Sequence, residues 1–257
     1  MTSNWSPPQC WYEPEFTPPQ FADYINSNYT SDQSAWASMG REYGADDFHK
    51  GDKGAWYQLV TPDPATANAT CIALSPWKWI APAQPSTPAV PTIDPRTLSG
   101  LAFNETILPK PDITLKPTGA NELVNLDTQV TFEKALPRVW VTASLDNAAL
   151  GVHVAATTLA VPEKLTVDAG TADADPRTCT YALRQAGGTY TVDTKDADCN
   201  VTYTRAGDYR LTASVVWKVT WTPSTDPYGA PSRPALPDGQ SDAHYATTVE
   251  ENEAVNR

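Results

Sequence analysis

The sequence predicts a mainly β chain, with a small α+β module over residues 1–90 followed by an antiparallel immunoglobulin-like β-sandwich over residues 91–257. Three observations carry that expectation. Tyr209, Leu211, Ala213, Val215, Trp217, Val219 and Trp221 alternate with mostly polar neighbours, the pattern of a strand with one face in a core. Proline outnumbers glycine 24 to 13 and clusters between apolar runs, which favours short strands and ordered loops over long helices. The four cysteines fall two to each half, Cys10 and Cys71 in the first, Cys179 and Cys199 in the second.

Taken in order, Thr17-Pro18-Pro19-Gln20 reads as a helix start, with Thr17 as N-cap, Pro18 at the first helical position and Gln20 closing a capping box. Phe21, Tyr24 and Ile25 then share one helical face, and Trp36, Met39 and Tyr43 suggest a second short helix ended by Gly40 and Gly44. A polar loop over 46–54 leads into a strand at 55–60, and another strand is expected over 71–80. Residues 81–95 read as a semi-rigid Pro-rich linker, after which Asp94-Pro95 caps a short helix carrying Leu98, Leu101 and Ala102. From Ile113 the period changes to two. Strands are expected at 123–132, 139–144, 151–159, 164–167 and 201–204, then the long strand 209–221, with 245–255 returning as an edge strand after the Pro-rich loop 223–237.

Four cysteines allow three pairings. Their segregation makes Cys10–Cys71 and Cys179–Cys199 the economical choice, against the alternative of four buried thiols. An even cysteine count and only two methionines point to an oxidising, extracellular setting, with a signal peptide already removed. No window approaches the length of a membrane span. Net charge −12 and pI near 4.6, with no basic run, exclude a nucleic-acid partner.

Catalytic signatures are missing: the three histidines, His49, His153 and His244, accompany no nucleophile elbow and no dinucleotide fingerprint, so no catalytic residue, metal ligand or cofactor is expected. His49 among Asp46, Asp47 and Asp52 is the one place for acid–base or metal chemistry, and a solvated loop is the plainer reading. Asp168, Asp173, Asp175, Asp193, Asp196 and Asp198 supply hard oxygens suited to calcium but lack the EF-hand order. Aromatic residues are the other candidate chemistry. Trp11, Tyr12, Trp77 and Trp79 form a candidate sugar-stacking set, joined by Trp5 and Trp36, with Trp77 and Trp79 on one face of a strand; a packed module core is the competing reading. Tyr245, Val249 and Val255 mark a candidate assembly edge.

Several segments are similar to a family of secreted actinobacterial, Streptomyces-type proteins of unassigned function, some of which bear an enoyl reductase label. They are Cys10-Trp11-Tyr12-Glu13-Pro14, His49-Lys50-Gly51-Asp52-Lys53-Gly54-Ala55-Trp56, Leu123-Val124-Asn125-Leu126, Trp217-Lys218-Val219-Thr220-Trp221 and Ala254-Val255-Asn256-Arg257. Where that family continues with further tryptophans after Val-Asn-Leu, this chain has Asp127-Thr128-Gln129-Val130-Thr131-Phe132. The run Gly207-Asp208-Tyr209-Arg210-Leu211-Thr212-Ala213 resembles the start of the long strand in polycystic-kidney-disease-type immunoglobulin-like domains, which serve as spacers or binding modules. The long alternating strand, the expected disulfides and this resemblance together lead to the expectation of a non-enzymatic, secreted or cell-surface structural or interaction protein acting in adhesion or assembly. Its expected partners are proteins, further copies of itself or cell-wall glycan; a carbohydrate-binding module and a hydrolase are the successive alternatives.

Overall fold

The computed structural model describes residues 8–29, 48–62, 64–66, 68–81, 92–116, 122–194 and 199–251. The chain is mainly β, its sheets are antiparallel apart from one short parallel pairing, and a small N-terminal part carries helix.

The N-terminal part is a three-stranded sheet of β1 (Trp11–Phe16), β2 (Ala55–Val60) and β3 (Trp77–Ile80), in that order. Helix α1 (Pro18–Tyr29) packs on it. Its start follows from the capping box: the Thr17 N–H donates to Gln20 Oε1 at 2.9 Å and the Gln20 N–H reaches back to Thr17 Oγ1 at 3.5 Å. Phe21 and Ile25 on its inner face join Phe48, Trp56 and Trp77 in one buried cluster, where Phe21 stacks on Trp56 at 4.1 Å. The span 71–80 is a strand only from Trp77. Asn68 accepts the Cys71 N–H and so caps a short helix, α2 (Ala69–Ile72), a local hydrogen bond that outcompetes strand pairing there. Strand β1 runs through Pro14 and bulges between Pro14 and Phe16. The second helix expected around Trp36, Met39 and Tyr43, most of the 81–95 linker, Trp5 and Val255 lie outside the described residues.

Helix α3 (Pro95–Asn104) is capped by Asp94, whose Oδ1 accepts the Thr97 N–H at 2.7 Å, with Pro95 at the start. Beyond it the strands make two facing sheets. The small one orders β12 (Val201–Thr202), β6 (Asp127–Phe132) and β4 (Ile113–Lys116). The large one orders β5 (Glu122–Leu123), β14 (Gly239–Glu250), β13 (Gly207–Thr222), β9 (Val152–Asp168), β10 (Thr178–Ala186), β11 (Thr189–Val192) and β7 (Leu136–Pro137), with β8 (Val139–Asn147) also on β9. Between them Ile113 and Val130 meet Leu165, Val167, Leu211, Ala213, Val215 and Trp217, which makes the arrangement sandwich-like.

Strand β9 is one strand where the sequence suggested two. It tolerates Pro162 because the ladder to β13 bulges there, between Val216 and Trp217. Its first half pairs with β8 and its second half with β10, so one long strand serves both ends of the sheet. The expected strand 123–132 is instead two, broken at Asn125, which takes a left-handed φ of 59°.

Candidate functional site

The cysteines pair as Cys10–Cys71 and Cys179–Cys199. The first bond sits against Tyr12 under the N-terminal sheet, and the second joins the start of β10 to the segment before β12. Two disulfides suit a protein that matures in an oxidising, extracellular environment. Among the described residues no helix is long and apolar enough to cross a membrane.

The N-terminal rings face inward. Trp11 is 5% exposed and packs with Ile93, Leu98, Ala156 and Trp221, so it joins the N-terminal sheet to α3 and the large sheet; its Nε1–H donates to Glu13 Oε1 at 2.6 Å. Tyr12, 3% exposed, donates its hydroxyl to the Ser75 carbonyl at 2.8 Å, and Trp77, 8% exposed, lies in the α1 cluster. Trp79 is half-buried, stacked against His49 at 4.4 Å with the rings nearly parallel. These side chains are core because each strand of a small sheet has only one face to bury, and the bulkiest residues fill it. The sugar-stacking surface expected at Trp11, Tyr12 and Trp77 is therefore not on the outside of this structure.

His49 Nδ1 also lies 2.8 Å from Asp52 Oδ2, while Asp46 and Asp47 fall outside the described residues. Asp168 accepts the Gly170 N–H and an Arg177 Nε–H, which hold its carboxyl below the usual range, and Asp173 lies 3.9 Å from Arg205. Among the described residues no three His, Cys, Asp or Glu side chains converge as a metal cluster; Asp196 and Asp198 are outside that set.

At the expected assembly edge, Val249 is buried and pairs in parallel with Glu122 of β5, so that end of β14 already has a neighbour. The Tyr245 hydroxyl donates to the Pro111 carbonyl and accepts the Ile113 N–H, which fixes its ring against the chain leading into β4. Burial raises its pKa. Among the described residues, the part of β14 from Gly239 to Thr248 pairs only with β13.

The surface chemistry gathers elsewhere. Trp140 on β8 and Tyr228 in the loop after β13 are 50% and 58% exposed, and their rings lie 6.2 Å apart, inclined by 59°. Arg138, just before β8, holds its guanidinium 5.5 Å from the Tyr228 ring centre and 5.9 Å from that of Tyr190 on β11. Its Nε–H donates to the Tyr190 hydroxyl at 3.2 Å, and hydrogen bonds to Tyr190 and Tyr228 push its pKa further up. The Tyr190 hydroxyl in turn donates to Gln185 Oε1 at 3.3 Å.

The loop that brings Tyr228 to Trp140 is built by hydrogen bonds. Thr222 Oγ1–H donates to the Asp226 carbonyl at 2.7 Å, Thr157 Oγ1–H to the Ser224 carbonyl at 2.8 Å, and the Tyr228 N–H to Asp226 Oδ1 at 2.9 Å. Further along, Trp221 Nε1–H donates to the Pro234 carbonyl at 2.9 Å, and the Ser232 N–H donates to the Trp221 carbonyl at 2.8 Å. No protein-family model, curated protein or solved structure matches this chain.

Sequence reasoning passed over this cluster, although one signal was there. On β8 the period of two puts Trp140 on the same face as Thr142 and Ser144, an indole in the polar register of a strand. Nothing local joined it to Tyr228, Arg138 or Tyr190.

Proposed function

We propose that this is a non-enzymatic extracellular protein of structural or interaction type that works in adhesion or assembly at a cell surface, with the sandwich-like part presenting its binding face. The observation that carries this reading is the cluster of Trp140, Tyr228 and Arg138, two half-exposed rings and a guanidinium held in place by sheet pairing and a hydrogen-bonded loop. Tryptophan, tyrosine and arginine dominate the energetics of binding surfaces because each offers a large, stiff area together with a polar group. The two disulfides support the extracellular half of the reading. The test is retention of the purified, labelled protein on isolated actinobacterial cell envelopes: sedimentation with the envelopes is expected, and a protein left wholly in the supernatant contradicts the proposal.

A further inference from the structure

We propose, resting on the extracellular binding reading, that the corner formed by Trp140, Tyr228 and Arg138 takes a neutral pyranose unit of a surface polysaccharide. The recognition is chemical. One face of a pyranose ring presents axial C–H groups of slight positive character, which suit the electron-rich face of an indole or phenol, while its edge presents hydroxyls. Trp140 and Tyr228 supply two such rings, each half-exposed, with centroids 6.2 Å apart and planes inclined by 59°. Arg138, beside Tyr228, carries five N–H donors, more than its bonds to Tyr190 and Tyr228 use, and Thr142 and Ser144 lie on the same face of β8 as Trp140.

Two further observations favour a sugar over a protein partner. The other large apolar side chains exposed among the described residues, Ile72, Ile107 and Leu126, lie on other segments of the chain. A protein interface needs roughly 800 Å² on each side with an apolar centre, whereas one sugar ring needs little more than the two side chains. Net charge −12 favours a neutral glycan over an acidic one, since a polyanion is repelled by the rest of the molecule and one guanidinium already engaged with two tyrosines does not reverse that.

The test combines envelope retention with native gels containing hydroxyethyl cellulose, xylan, galactomannan or polygalacturonate. Retention is expected to survive protease treatment of the envelopes and about 0.5 M salt, and to be lost when periodate cleaves the vicinal diols of their sugars. At least one neutral polysaccharide should retard the protein. Trp140→Ala and Tyr228→Ser should each weaken retardation by about tenfold, while Trp140→Phe, which keeps a ring, retains most of it; near-ultraviolet circular dichroism establishes that each variant is folded. Envelope retention abolished by protease, retardation by polygalacturonate alone, retardation by none of the gels, or folded Trp140→Ala and Tyr228→Ser variants that bind like the parent would each overturn the inference and leave the binding reading standing. No retention of the parent protein on any envelope overturns both.

Discussion

The indole of Trp221 donates its Nε1–H to the carbonyl of Pro234 at 2.9 Å while its ring packs with Trp11 from the opposite end of the chain. One side chain thus fastens the loop that carries Tyr228 and also closes the contact between the N-terminal sheet and the large sheet. Trp221→Phe keeps most of the ring and removes the donor, leaving the Pro234 carbonyl without that bond. It is expected to cost about 1–2 kcal/mol in urea unfolding, and an unchanged midpoint would show that the bond does not hold the loop.

Gly170 adopts φ +74°, and a Cβ there would lie 2.0 Å from the Arg210 carbonyl oxygen of β13. Both the left-handed backbone and the close strand approach demand glycine. Gly170→Ala should destabilise by about 2–4 kcal/mol. Gly151→Ala, equally left-handed but with open space around its Cβ position, should cost less, so the pair separates steric contact from backbone strain.

Tyr181 is buried in the sandwich core, and desolvation, helped by the nearby Asp127 carboxylate, pushes its pKa up to about 12. The folded state therefore holds this proton more tightly than the unfolded chain, whose tyrosine titrates near 10. The stabilisation is fully present below pH about 10 and is lost as pH rises through about 12. Unfolding free energy measured across that window should fall with pH, and the fall should be shallower in Tyr181→Phe; identical slopes would remove Tyr181 as its source.

Each disulfide restrains its own part of the chain. The separations of 61 and 20 residues correspond to about 4 and about 3 kcal/mol of lost unfolded-state entropy. Replacing Cys10 and Cys71 together by alanine should therefore lower stability more than replacing Cys179 and Cys199, as read by denaturant midpoints. The reverse order would indicate that the 179–199 bond also supports native packing.

Local rules explain which elements were legible. The 209–221 alternation announced β13 because a strand with one face in a core must read that way, and Thr17 with Gln20, and Asp94 with Pro95, announced α1 and α3 because caps satisfy orphan N–H groups within three residues. Strands β10 and β11 were passed over, although Gly187-Gly188 between them, both at positive φ, is a hairpin signal. The short helix at Ala69–Ile72 was hidden because Asn68 reads equally as a loop residue. The gap expected between the strands 151–159 and 164–167 contains Pro162, which the bulge absorbs within one strand. For the candidate site the obstacle was greater. Arg138 and Trp140, Tyr190 and Tyr228 come from three separate stretches, and only the pairing of β11 with β7, of β8 with β9, and the folding of the loop after β13 bring them together.

The claim that this is a disulfide-stapled protein of the cell exterior is tested most directly by non-reducing peptide mass mapping of the protein recovered from fractions of its own host. The account predicts protein in the medium or on the outer surface, with Cys10 linked to Cys71 and Cys179 to Cys199. Protein confined to the cytosol with four free thiols would contradict it.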